Sequence, residues 1–513
     1  MRNTQRIVFI LSLIVMGVVL PQLSQAATQV SQNGITWTFD KDYTIGQFVN
    51  GDYWVLGPVK ITSISATGGS MVNPMPQKQA YDDSLTGSFN VAYVNPVTVP
   101  LTLQANSSLV STNLTTGNEA GASIVNGLRR PSIKDAAVLT VLASAPPANS
   151  FRPPYCGTAK PIYSASNLRK DLLPNLALPL NAPSPANIAD GISRLWLDHF
   201  CGNGDGAQYF SPLNNMPNYG RDYSNLTSQA SLLLISNISS ANKDSLLIPF
   251  VQIGIDLKAV VDNGGTWQPN GGLNSGRKWP ILFAGLMLDN TSMKNIGQVT
   301  SGPYGCAFHE DGQTFYVTAD SPGGYTVADV GLPEWGQRHS YDPTGSHPDS
   351  KNWGDDSYRL CCNAFAWSGW VLAIHAMHAE SLYNHDALFD YQDRYMKFET
   401  DWRSITPFAA QMWDTYRAQY GCIWTPNDPN DIYSNGHRIN CSDSILYGDV
   451  SGDRQVSAYD AALTAQATVG LITLNSDQTK AADVSGDGQV SAYDAALIAQ
   501  KSVGLIAKFP VEG

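Results

Sequence analysis

Two short stretches near the C-terminal end carry the densest chemistry in the chain. Residues 449–460 read DVSGDRQVSAYD, and residues 483–494 read DVSGDGQVSAYD. They begin 34 residues apart, and AAL follows each. Self-similarity at a fixed spacing marks a duplicated unit. Each copy sets oxygen-bearing side chains at loop positions 1, 3, 5, 9 and 12. These are Asp449, Ser451, Asp453, Ser457 and Asp460, then Asp483, Ser485, Asp487, Ser491 and Asp494. Calcium takes about six to eight oxygen ligands on a loop that wraps around it. The carbonyls of Gln455 and Gln489, at position 7, add a further oxygen to each set. Position 6 needs a sharp turn, which Gly488 makes at no steric cost; Arg454 in the first copy makes it less easily. The pattern predicts two calcium ions, one per loop, with apolar Val456 and Val490 pairing the loops.

A second concentration of reactive side chains is looser. PEWGQRHSYDPTGSHPDSKNWGDDSYR holds Arg338, His339, Tyr341, His347 and Lys351 in an otherwise acidic chain. An earlier group, FCGNGDGAQYFSPLNNMPNYGRDY, adds Tyr219 and Arg221, and His309 and Glu310 lie between the two. One chemistry open to such a set is β-elimination on a uronate polysaccharide. A cation neutralises the carboxylate, a base removes the proton next to it, and a phenol protonates the leaving oxygen. The candidates are His339 as base or carboxylate neutraliser, Tyr341 or Tyr219 as acid, and Arg338 and Arg221 for the uronate. The other is glycoside hydrolysis, which needs paired carboxylates. Asp205, Asp222, Glu310, Asp311, Glu334, Asp355 and Asp356 are available, with Glu334 beside Trp335 the most attractive.

The paired loops resemble the type I dockerin, over residues 446–509. Asp460 and Asp494 at position 12, where a common EF-hand has Glu, fit that family. So do the segments AALTAQATVGLI and AALIAQKSVGLI, read as short helices ending near Gly470 and Gly504. The resemblance implies docking onto a cohesin-like module, through Ala458 and Tyr459 in one copy and Ala492 and Tyr493 in the other. The order of a β module followed by a helical body with His/Tyr/Arg-rich loops loosely resembles the toroid polysaccharide lyases.

The chain must position these residues across 513 positions, enough for several domains. A net charge of −12 argues against nucleic acid as partner. Arg2 and Arg6, the apolar run IVFILSLIVMGVVL and the small residues before Ala26 predict a secretory signal peptide over 1–26 and an extracellular protein. No later stretch is apolar enough to predict a membrane span in the mature chain. Seven cysteines leave an odd thiol, and Cys422–Cys441 is the expected bridge.

Residues 27–150 alternate β-branched and aromatic residues with polar ones, broken by Asn-Gly and Gly-Pro signals, and predict a β-sandwich. Trp37, Tyr53 and Trp54 read as core aromatics ahead of sugar-stacking ones. A Pro-rich connection, PPANSFRPPYCG, follows. Residues 151–440 then turn to helical periodicity, predicting an all-α domain of paired helices, an (α/α) toroid or incomplete barrel. Within it, residues 296–357 read as a long irregular insertion lining the open face. His375 and His378 read as buried core histidines, and Asn384 or Asp386 as the cap of a helix near His385.

Overall fold

The structure is a computed structural model. It describes residues 25–76, 97–125, 127–198, 210–302, 305–321, 325–336, 362–399, 402–420, 423, 433–434, 437–438, 447–451, 456–474 and 476–512. The predicted order is borne out: a strand-rich N-terminal region, a helical body and a small helical tail.

The strand-rich region comprises β1 (Gln25–Gln32), β2 (Ile35–Gln47), β3 (Tyr53–Leu56), β4 (Val59–Ile64), β5 (Ser70–Val72), β6 (Leu101–Leu103), β7 (Ser107–Leu114), β8 (Ser123–Val125), β9 (Leu128–Arg130) and β10 (Ile133–Leu142). Asn33 and Gly34 join β1 to β2 with φ of 50° and 72°, the positive pair that a tight hairpin needs. Eight strands form one sheet in the order β5-β7-β10-β3-β2-β4-β6, with β1 on β2; β8 and β9 form a separate hairpin. The sheet curls on itself. Trp37 of β2 donates from Nε1 to Ser111 Oγ of β7, 3.1 Å away, although two strands separate them in the sheet. Trp37, Ile35, Val55, Ile61, Leu109, Leu139 and Val141 fill the enclosed core. Trp37 is therefore a core residue, and Trp54, also buried, packs with Phe48 and Leu142 in a separate small cluster.

The other face of β7 and β10, with Val110, Ala136 and Val138, joins the core of the helical body. That body contains α1 (Pro185–Ile192), α2 (Gly220–Leu234), α3 (Ser240–Asp262), α4 (Lys278–Met287), the single turn α5 (His309–Gln313), α6 (Ala364–Ala376), α7 (Glu380–Tyr383), α8 (Asp386–Phe398) and α9 (Pro407–Tyr416). Ser239 caps α3, accepting from Asn242 N–H at 3.3 Å. Trp279, Trp367 and Trp370 are fully buried and held by seryl hydroxyls at 2.6–3.0 Å, so they are core.

Several expectations need correction. The Pro-rich connection is exposed at residues 147–149 but buried along 151–157. Arg152 explains this, because its guanidinium bridges Asp52 of the β2–β3 loop and Asp256 of α3. The insertion at 296–357 is not wholly irregular, since it holds α5 and the ladder of β11 (Thr314–Tyr316) with β12 (Pro333–Trp335). His375 is buried against Glu380, but His378 is exposed at φ 50°, where the helix ends. Neither Asn384 nor Asp386 caps α8. Asn384 takes a left-handed φ of 58° that closes α7, and His385 itself stands at the cap position without a capping bond, its Nε2 meeting Thr314 Oγ1 at 2.8 Å instead.

The tail has α10 (Ala458–Thr468), α11 (Ser476–Ala482) and α12 (Ala492–Ser502) around Val450, Ala482, Val484, Leu497, Ile498 and Phe509. Cys156 and Cys306 are buried thiols and Cys362 is in a disulfide; Cys422 and Cys441 lie outside the described residues.

Candidate functional site

The tail loops are built from their helix ends. Ser457 and Ser491 cap α10 and α12, and Asp460 and Asp494 three residues on complete reciprocal capping boxes. Asp494 also reaches back along the loop. Its Oδ1 accepts from Ser485 N–H at 2.8 Å, and its Oδ2 from Ser491 N–H at 2.9 Å. The first copy repeats this: Asp460 accepts from Ser451 N–H at 2.7 Å and Ser457 N–H at 2.9 Å. Burial pushes the Asp494 carboxyl up, but these bonds outweigh it and hold the group below its usual range.

In the second copy Asp483 gathers the loop around itself. It accepts from the N–H groups of Gly486 and Gly488 at 2.9 Å and of Asp487 at 3.2 Å. Gly488 takes φ 83° at position 6, as its place in the motif predicted. The loop is thus curled from Asp483 to Asp494, with Asp487 turned to Gln489 N–H at 2.9 Å. Among the described residues no three His, Cys, Asp or Glu side chains converge as a ready metal cluster. The donor set still fits a hard cation, because carboxylate, hydroxyl and carbonyl oxygens are its only ligand types. Asp453, Arg454 and Gln455 of the first copy lie outside the described residues. Val456 and Val490 both pack against the tail core. Each helix ends as the sequence predicted: Gly470 and Gly504 take φ 73° and 76°, and Leu471 and Leu505 N–H bond back to Gln466 and Gln500. Tyr459 and Tyr493 are exposed, at 62% and 61%.

In the helical body, His309 and Glu310 belong to one buried polar cluster. His309 is fully buried, its ring nitrogens each 3.3 Å from an acceptor, Gln268 O and Asn363 Oδ1. Burial pushes its pKa down to about 4, against those bonds. Glu310, equally buried, accepts from Tyr383 OH at 3.1 Å and Gly276 N–H at 3.3 Å. Burial, then the neighbouring Asp311 charge, pushes its carboxyl up to about 7. Lys278 pairs with Asp311 at 2.7 Å and lies 4.1 Å from the centroid of the Tyr383 ring. Arg277 pairs with Asp198 at 2.7 Å and stacks on Tyr223 at 3.6 Å.

Tyr219 and Arg221 adjoin this cluster. Tyr219 stands at the N-cap of α2, half-buried, with the Arg221 guanidinium 5.1 Å from its ring centroid. Arg221 also pairs with Asp222 at 2.9 Å. A Cβ at Gly272 would lie 3.0 Å from Tyr219 Oη and 2.3 Å from Cys362 O, so only glycine lets these segments meet. Asn363, next to Cys362, is the residue facing His309. Arg338, His339 and Tyr341 lie outside the described residues. Before that stretch, Gly336 N–H donates to Gln313 O at 2.9 Å, and Trp335 Nε1 to Gln313 Oε1 at 3.1 Å. Glu334 is different. Fully buried, it is bound to Arg394 at 3.3 Å and to Trp335 N–H at 2.9 Å, which makes it a structural anion. Arg277, Asn363 and Tyr383 had no reading in the sequence; two cations, Arg277 and Lys278, opening an apolar helix were the only local sign.

Residues 447–501 match the family of the Dockerin type I domain. Among solved structures, the chain matches one from Acetivibrio cellulolyticus, described as the third cohesin ScaC in complex with the ScaB dockerin, displaying a type I interaction. Identity is 38%, covering 13% of this chain and 94% of that one, with a TM-score of 0.13 over the whole. No curated protein matches. The tail is a type I dockerin domain, a calcium-binding module of extracellular multi-protein assemblies. No helix among the described residues is long and apolar enough to cross a membrane.

Proposed function

We propose that the chain is exported and attached through its tail to a cohesin-type module of an extracellular assembly. Its helical body, read as an (α/α) toroid or incomplete barrel, cleaves an acidic polysaccharide by β-elimination. The observation that carries the docking half is the duplicated loop-and-helix unit, with Tyr459 and Tyr493 exposed at equivalent places. Two calcium ions are expected. One would be held by Asp449, Ser451, Asp453, Ser457, Asp460 and the Gln455 carbonyl, the other by Asp483, Ser485, Asp487, Ser491, Asp494 and the Gln489 carbonyl. The ions would neutralise the clustered carboxylates and lock the loops against the helices.

The elimination half is supported by the meeting of Tyr219 and the Cys362 backbone at Gly272, beside the His309–Asn363 contact. Arg338 and Arg221 neutralise the uronate carboxylate, which acidifies the neighbouring C–H. His339 takes that proton, the C–O bond to the leaving sugar breaks, and the electron pair becomes a C=C bond. Tyr341 or Tyr219 gives a proton to the leaving oxygen. Incubating the purified protein with uronate polysaccharides and following ultraviolet absorbance tests this, because the product is a conjugated enol acid. New reducing ends without that absorbance mean hydrolysis, and binding with neither means a non-catalytic carbohydrate-binding component. His339→Ala is expected to abolish product formation and leave the thermal midpoint unchanged; normal turnover removes His339 from the mechanism.

A further inference from the structure

We propose that the β8–β9 hairpin and the turn after it form a basic arm that holds an acidic polysaccharide chain beside the candidate reaction centre. Residues 120–134, AGASIVNGLRRPSIK, contain Arg129, Arg130 and Lys134 and no acid, in a chain of net charge −12. The three cations are half-exposed. Neither Arg129 nor Lys134 is in an ion pair among the described residues. The nearest acids are largely committed elsewhere. Asp135 is paired with Arg194 and takes Asn214 Nδ2 at 2.6 Å. Glu119, one residue before this stretch, is turned to the N–H groups of Thr116 and Gly117 at 3.0–3.1 Å.

The arm is fixed to the chain that leads into α2. Leu213 N–H donates to Ile133 O at 2.9 Å, and Asn214 N–H to Lys134 O at 3.1 Å. From Asn214 to Tyr219 is only five residues, at most about 17 Å of extended chain. The cations therefore stand on the approach to Tyr219 and Arg221. Ile124 of β8, paired with Arg129, is 59% exposed, and Val125 is 36% exposed. Apolar side chains between cations suit a polymer that offers carboxylates and C–H faces together. Several screened contacts of this kind give charge selection and a steep salt dependence. This inference rests on the acidic-substrate reading above and does not need the elimination step.

Electrophoresis of the full chain through gels containing polygalacturonate, alginate or neutral dextran tests it. The expected result is retardation by at least one polyuronate, weakening with salt, and none by dextran. Arg129→Ala with Lys134→Ala should weaken that binding about threefold to tenfold, as two exposed ion contacts imply, at an unchanged thermal midpoint. Arg129→Glu should weaken it further. Wild-type binding in the double variant, or retardation by dextran equal to that by the polyuronates, overturns the arm. No retardation by either polyuronate overturns the arm and the acidic substrate together. Arm-dependent binding without an unsaturated product leaves the arm standing and sinks the elimination alone.

Discussion

Glu310 and His309 are neighbours in sequence, both fully buried, and their pKa values are pushed in opposite directions. Their effects on stability therefore oppose each other. Glu310 rises from an ordinary 4.5 to about 7, so between those pH values the unfolded chain has lost a proton that the folded one keeps. Stability drains away as pH rises through that window, by roughly 3 kcal/mol in all. His309 falls from 6.5 to about 4, so the unfolded chain holds the extra proton there and stability grows as pH rises. Buried His375 and half-buried His385 shift in the same direction as His309. Glu310→Gln removes the Glu310 slope alone. Its thermal midpoint relative to wild type is expected to be higher at pH 8 than at pH 5. An identical offset at both pH values means that Glu310 ionises normally. Tyr383 makes a second handle: Tyr383→Phe deletes the donor to Glu310 Oε1 and is expected to cost about 1–3 kcal/mol, read by denaturant unfolding.

The tail helices depend on the carboxylates that close their loops. Asp494 holds three groups at once: Ser485 N–H, Ser491 N–H and the Ser491 hydroxyl. Asp494→Ala is expected to cost about 1 kcal/mol through the lost cap alone, and more once calcium is present. Calcium titration by calorimetry should show its affinity sharply reduced, with Asp483→Ala behaving alike. If a chelator leaves hydrogen-exchange protection in α10 and α12 unchanged, metal binding does not support the tail. These elements were legible in the sequence because everything that makes them is local. The capping boxes, the glycines ending α10 and α12 and the loop spacing fall within about a dozen residues, and the Asn33-Gly34 hairpin is shorter still. The alternation of β2 and β10 and the apolar runs of α3 and α6 were likewise visible. The polar cluster was not. His309 meets Asn363 across 54 positions and Arg277 meets Asp198 across 79, and no short-range pattern records such pairs. The same reason hid Glu334, an attractive acid in sequence whose charge is taken by Arg394, 60 residues on.

Across the whole molecule, the sheet and the helical body are held together by more than apolar contact. Arg152 lies in the connection between them, and its guanidinium binds Asp52 from one side and Asp256 from the other. Its own backbone is gripped as well: its N–H donates to Gln252 Oε1 and its carbonyl accepts from Gln252 Nε2, both at 3.1 Å. All four residues are nearly inaccessible to water. Burying three charges is costly unless each is matched, and here one fork matches both carboxylates. Lys160 sits close by, bonded to the carbonyl of Pro154 at 2.7 Å, and burial, then the Arg152 charge, drives its pKa down to about 7. That group thus carries only part of a positive charge at neutral pH, and, bonded to backbone carbonyls, it does not replace Arg152. Removing the fork strands two anions in the interior, so Arg152→Ala is expected to destabilise by about 3–5 kcal/mol. Arg152→Lys should recover only part of this, because an ammonium cannot serve both carboxylates in one plane. The loss should be greatest where the two layers meet. Limited proteolysis is then expected to cut within residues 146–163 in Arg152→Ala and not in wild type. Asp52→Asn combined with Asp256→Asn tests the cause, since it removes the stranded charges and should restore part of the stability lost in Arg152→Ala. If Arg152→Ala melts at the wild-type temperature and resists cleavage there, apolar packing alone joins the layers and the clamp has no energetic role.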